Sequence, residues 1–289
     1  MYVTLVISLL ILSHILTDFY LQNDNLVKKK LNSDPWILWH SSHFLFSSLL
    51  LTILFINYYL LLIIVVISIT HFFIDKAKIF FDKGKSNLKS FLFFISDQLI
   101  HIFIIMAAYP FLHDIKPNYF LNKLLEKFIS DYPFLELINN INLLSFIILI
   151  IAGLLFSIKG GTILSLLIIK LPQELIEPQI GNNARYVSLA QETAATVEEG
   201  IKSENESEKE GMKRYGKVIG NIERILIISA ILINQYDVIA IIIAVKSIGR
   251  FKELDSKTSD YFIVGNLASF SIAFFIGITL IYAKKLLFA

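Results

Sequence analysis

The chain has no cysteine, and only six prolines and twelve glycines among 289 residues. The missing thiol removes disulfides, thiolate metal ligands and cysteine nucleophiles together. So few prolines and glycines leave little room for flexible linkers. Charge is scarce as well: 17% of the residues are Asp, Glu, Lys or Arg, against about a quarter in an average soluble domain. The net charge is +2, so there is no basic excess of the kind that attracts nucleic acid, and no nucleic-acid partner is expected. Neither a Gly-x-Ser-x-Gly nor a His-Glu-x-x-His string occurs, which sets aside serine hydrolases of that type and ordinary zincins.

The chain is rich instead in apolar residues. Hydrophobic residues make up 55% of the chain, and the mean hydropathy is +0.67. They gather into runs of about 20, the length a helix needs to cross a bilayer. The runs are roughly 2–21, 36–56, 59–80, 91–112 and 141–171, followed by 218–233, 237–252 and 260–283. The expected fold is therefore all-α, a polytopic transmembrane helix bundle of seven or eight spans. The first run has no basic residue before it and no small-x-small cleavage site, so it reads as a retained span.

Lys and Arg in short loops mark the cytoplasmic side. Lys28, Lys29 and Lys30 follow the first run, the turn near Asn57 has no basic residue, and Lys76, Lys78, Lys83, Lys85 and Lys89 surround the end of the third. The alternation places the N-terminus outside. On this reading residues 1–112 form a four-span bundle, and 113–140 form an extracytoplasmic loop. Residues 141–171 are a kinked span interrupted by Lys159, Gly160 and Gly161, and 172–217 are an acidic cytoplasmic connector. Residues 218–289 hold the C-terminal spans. Within them, 218–252 reads either as one long span or as a hairpin turning at Asn234–Asp237. The hairpin is favoured, because it keeps Asn234, Gln235 and Asp237 out of hydrocarbon.

Four polar pairs interrupt the first four runs: His14 with Asp18, His40 with His43, His71 with Asp75, and Asp97 with His101. Spacings of three or four residues put both members on one helix face. By the orientation above, all four pairs fall in the cytoplasmic half of the membrane. Ionisable groups at that depth are costly and normally face a bundle interior or a wet cavity. Helical bundles build metal sites from carboxylates and imidazoles projected inward. All eight residues are therefore candidate metal ligands, for two ions or for one ion with supporting partners. Nitrogen and oxygen donors suit a divalent metal, zinc first, with iron or manganese as alternatives. Asp18 and Asp97 are candidate catalytic carboxylates, either able to act as general base.

A second polar group comprises Glu223, Arg224, Lys246 and Arg250, with Lys252 and Glu253 beyond. A guanidinium fits a phosphate or carboxylate, so the first four are candidate substrate-binding residues. Snorkelling to lipid headgroups and internal ion pairing explain them equally well.

The strings "HILTDFYLQND" (14–24), "HSSHF" (40–44), "THFFIDKAK" (70–78) and "DQLIH" (97–101) occur in order. With them the chain resembles a family of bacterial membrane proteins catalogued as a domain of unknown function (DUF3307). "GNIERILI" (220–227) and "AVKSIGRFKE" (244–253) are similar more weakly. The resemblance implies a bacterial inner-membrane location and carries no established activity. The pattern is also loosely similar to membrane-bound metal-dependent hydrolases with His and Asp in their spans.

The expected function is a metal-dependent hydrolase acting on a membrane lipid, or on another lipid-linked or phosphate-bearing substrate. The alternative is a transporter or channel for divalent cations or a proton-coupled substrate. Polar groups confined to one depth, with no internal repeat, argue against a pathway across the membrane. A third reading makes the acidic stretch 192–210 a docking surface for a protein partner, and leaves the four pairs unexplained.

Overall fold

The apolar runs close their backbone hydrogen bonds within helices, the arrangement that hydrocarbon requires of a single span. The structure, a computed structural model, describes residues 2–31, 33–82, 86–120, 122–123, 127, 140–180, 206–249 and 259–289. Among the described residues there is no strand, and the fold is all-α. Helix α1 (Tyr2–Leu16) runs into a π-helical turn, Thr17–Leu21. Then come α2 (Asp24–Lys30), α3 (Asp34–Leu51), α4 (Tyr58–Asp82) and α5 (Asn87–Ala107). The C-terminal part has α6 (Ile141–Ile180), α7 (Glu206–Leu232), α8 (Tyr236–Gly249) and α9 (Ser259–Phe288).

Helix starts obey local chemistry. The Asn23 side chain accepts a hydrogen bond from the Leu26 amide, and that of Asn57 accepts one from Leu60. Each satisfies one of the amides that a first turn leaves without a partner. Pro35 lies in the first turn of α3, where its missing N–H costs nothing.

Among the described residues, five helices are long and apolar enough to cross a membrane: Tyr2–Leu21, Tyr58–Phe81, Asn87–Leu112, Ile141–Leu171 and Ile263–Phe288. The expected runs 36–56, 218–233 and 237–252 are not among them. Helix α3 has 18 residues but spends them on two histidines and four serines. The first part of α7 is strongly polar, and α8 has 14 described residues, about 21 Å of helix against a core of about 30 Å. The expected interruption at Lys159–Gly161 does not end a helix, since α6 is continuous across it.

Large apolar side chains face outward, among them Phe46, Leu50, Phe103 and Phe275, while Ser13, Ser48 and Thr52 are fully buried. This inversion suits a hydrocarbon surround, where polar groups are best kept inside the bundle.

The chain divides into two units. The first comprises 1–85, 92–160 and 278–289, and the second 86–91 and 161–277. In the first unit, Val6, Leu10, Phe44, Leu60, Ile64 and Ile105 form the apolar core. Hydroxyls join α1 and the π turn to α3 beside it: Ser13 bonds Ser48 at 2.8 Å, and Thr17 bonds Ser47 at 3.1 Å. The Tyr20 hydroxyl donates to the Leu155 carbonyl at 2.9 Å, tying the π turn to α6.

In the second unit, α7 and α8 form a helical hairpin. Asn234 has φ 58°, and the Asn234 and Gln235 amides donate back to the Ile231 and Ala230 carbonyls. This is the left-handed helix stop in which Asn replaces the usual Gly. The polar triplet Asn234, Gln235 and Asp237 thus lies at a turn and the start of α8, not inside one long helix. Gly277 of α9 lies against Ile231, and a Cβ there would come within 2.7 Å of that side chain.

Candidate metal centre

Four helices of the first unit bring one imidazole or carboxylate set each to a common point. His14 lies in the last turn of α1, and Asp18 on the adjoining π turn. One extra residue in a turn rotates the downstream side chains about the helix axis, and such π bulges recur at functional sites. His40 comes from α3, His71 and Asp75 from α4, and Asp97 and His101 from α5. His14, His40, His71 and His101 are 0, 1, 1 and 4% exposed. Their rings form a contiguous set: His14 stacks on His101 with centroids 4.8 Å apart, and His71 lies 5.2 Å from His40.

Asp18 is at the centre. Its Oδ1 lies 3.3 Å from His40 Nε2, 3.3 Å from His71 Nε2 and 3.8 Å from His14 Nδ1. Tetrahedral zinc with bonds of about 2.0–2.1 Å places neighbouring ligand atoms roughly 3.3 Å apart. Three sets of donor atoms lie within 4.8 Å of one another: His14 with His71 and His101, Asp18 with His40 and His71, and Asp18 with Asp97 and His101.

Many of these atoms are buried without a hydrogen-bond partner among the described residues: both ring nitrogens of His14, Nε2 of His71, Nδ1 of His40, and Oδ1 of Asp18 and Asp97. Buried polar atoms are nearly always paired, and each unpaired one costs about 1–3 kcal/mol. Six such atoms in one cluster of side chains leave room there for a further partner. Lone pairs on imidazole nitrogens and carboxylate oxygens are together satisfied by a cation. The donor set therefore fits a divalent transition metal.

The outer oxygens of the same carboxylates are held from behind. Asp97 Oδ2 accepts from Lys78 Nζ at 2.7 Å and from Gln98 Nε2 at 3.1 Å. Gln98 also donates to Asp18 Oδ2 at 3.2 Å. Lys30 donates to Asp75 Oδ2 at 2.6 Å and to Gln22 Oε1 at 2.9 Å. His101 Nδ1 donates to the Asp97 carbonyl at 2.8 Å, which leaves Nε2 for the interior, against His71. Such partners fix tautomers and orient ligands in metal sites.

Two of the eight expected ligands stand apart. His43 is only partly buried, packs edge-on to Trp39, and lies 6.4 Å from the His40 ring. Asp75 approaches His40 Nε2 at 3.5 Å, but Lys30 holds it, and it is in none of the three donor sets. Lys30, Lys78 and Gln98 were not among the expected site residues. Lys78 lies one helical repeat beyond His71 and less than a turn beyond Asp75, on the same helix face, so its spacing was a usable signal. Lys30 carried no such signal: the return of α2 brings it across 45 residues.

The second polar group lies in the second unit. Arg224 is buried, and Lys246 pairs with Glu223. Arg250 and most of the acidic stretch 192–210 lie outside the described residues.

Residues 6–128 match the model of the protein family described as Protein of unknown function (DUF3307). The match contains all four polar pairs and leaves out the weaker C-terminal strings. No curated protein and no solved structure matches the chain.

Proposed function

We propose that the protein is an integral membrane protein that binds a divalent transition metal, zinc first, through His14, Asp18, His40, His71, Asp97 and His101. The observation that carries this reading is the overlap of three sets of histidine and aspartate donor atoms, each set within 4.8 Å, in a cluster that also holds buried polar atoms without a partner. Asp75 and His43 would stand behind the ligands, Asp75 through its contact with His40. With the N-terminus outside and α3 completing a four-helix bundle, the centre lies in the cytoplasmic half of a bacterial inner membrane. The lysine alternation along the loops supports that orientation.

The chemistry that suits such a centre is hydrolysis of a lipid-linked or phosphate-bearing substrate. A bound divalent ion supplies Lewis-acid activation of water and of a phosphoryl or acyl oxygen. Asp18 and Asp97 each turn one oxygen inward and have the other held by Gln98 or Lys78, the arrangement that positions a general base. A second reading, passage of the divalent ion itself, is favoured by the near-complete burial of the four rings, since an occluded cargo ion needs such enclosure.

Elemental analysis of chelator-washed protein tests the metal. Near-stoichiometric zinc, iron or manganese is expected in the unaltered chain and in His113→Ala, whose ring is exposed. None is expected in His71→Ala. Equal metal in all three would remove the centre. If metal is bound, turnover of lipid phosphates in detergent separates hydrolysis from flux of the ion into liposomes.

A further inference from the structure

The second unit contains a cavity that the metal centre does not explain. Its volume is about 540 Å³, within the range of ligand pockets. Three cationic side chains line it, Lys217, Arg224 and Lys246, with the hydroxyls of Thr162, Ser165 and Ser269. Among its described lining residues there is no carboxylate. Glu223 pairs with Lys246 from the neighbouring groove and offsets one of the three charges.

Arg224 is the built part of this site. It is 4% exposed. Its guanidinium donates to Ser269 at 3.0 Å, to Thr162 at 2.8 Å and to Asn221 at 2.6 Å. Gly161 gives it space, since a Cβ there would lie 3.2 Å from Nε. The planar fork is therefore held in one orientation by α6, α7 and α9. A preorganised guanidinium beside hydroxyls and two ammonium groups suits a phosphate better than a carboxylate, because phosphate offers more acceptor oxygens and more charge.

An apolar groove of about 300 Å³ adjoins the cavity and shares Lys246, Asn266 and Ser269 with it. Ile227, Ile242, Leu267 and Phe270 line it. Leu267 is 61% exposed, so the groove opens on the apolar exterior of the unit. A charged chamber continuous with a hydrocarbon-facing groove has the two-part chemistry of an amphiphile.

We propose that the second unit binds an anionic lipid, with its phosphate head beside Arg224 and Lys217 and its alkyl tail in the groove between α7, α8 and α9. The site is independent of the metal, and the proposal stands whether or not the first unit is an enzyme.

The test uses the full chain, chelator-washed, in a neutral sterol detergent. Dodecyl phosphate, dodecanol and inorganic phosphate are titrated by calorimetry. Dodecyl phosphate should bind at least about tenfold more tightly than either of the others. Lys217→Gln, at an exposed position, should weaken dodecyl phosphate about tenfold, and so should Leu267→Trp, which narrows the groove. Unchanged thermal midpoints without ligand show that these variants fold. Equal binding of all three probes, or unchanged affinity in both folded variants, overturns the site. Inorganic phosphate binding as tightly as dodecyl phosphate overturns the lipid assignment by showing that a free anion fills the chamber without a tail.

Discussion

His71 belongs to two donor sets at once: its Nδ1 meets His101, and its Nε2 faces Asp18. Its loss breaks both of these sets, as loss of Asp18 or His101 breaks two. The residues behind the ligands are expected to tune the site without defining it. Lys78→Met and Gln98→Leu remove the donors on Asp97 Oδ2 and Asp18 Oδ2. Loss of such supporting partners typically costs about 10–100-fold in metal affinity. Competition with a chelator of known affinity should show that weakening while stoichiometry at saturating metal is kept. Unchanged affinity in both would mean that the inner oxygens need no help from behind. The clustered histidines and aspartates were legible in the sequence as candidates, because spacings of three and four on apolar runs leave few structural reasons for paired imidazoles and carboxylates. Lys30 and Gln98 were not. Their partners lie on other helices, and a lysine beside a span already has a role as a topogenic charge.

Between residue and molecule, the elements show where local chemistry overrides an apolar pattern. Residues 218–252 hold two apolar runs, and the chain turns between them at Asn234, with φ 58° and both returning hydrogen bonds of a helix stop. A side chain without Asn's local hydrogen bonding costs about 1–2 kcal/mol in that conformation, and Gly costs little. Asn234→Ala should therefore lower the thermal midpoint, and Asn234→Gly should leave it near the original. If Ala and Gly behave alike, the hairpin does not depend on the left-handed residue. The turn could be read from its polar triplet. The π turn at Thr17–Leu21 was hidden: no residue type demands it, and it exists where α1, α3 and α6 hold Asp18 toward the rings.

At the scale of the whole chain, large apolar side chains face outward while the histidines and aspartates of the first unit's cluster are buried, an arrangement that suits a hydrocarbon surround. The sequence supplies the tool to test how the chain crosses it, since there is no native cysteine to mask. Tyr58→Cys and Tyr119→Cys, both at highly exposed positions, lie on the outer side in the proposed orientation. Lys28→Cys and Lys89→Cys lie on the inner side. A membrane-impermeant maleimide should label the first two in right-side-out vesicles and the last two only in inverted ones. The opposite pattern would move the metal centre to the outer half of the membrane and make an extracytoplasmic substrate the one to seek. Labelling of Lys28→Cys and Tyr58→Cys from the same side would show that α3 does not cross. That would break the four-span bundle while leaving the ligand cluster intact, because the serine and threonine contacts between α1 and α3 require only that the two helices pack.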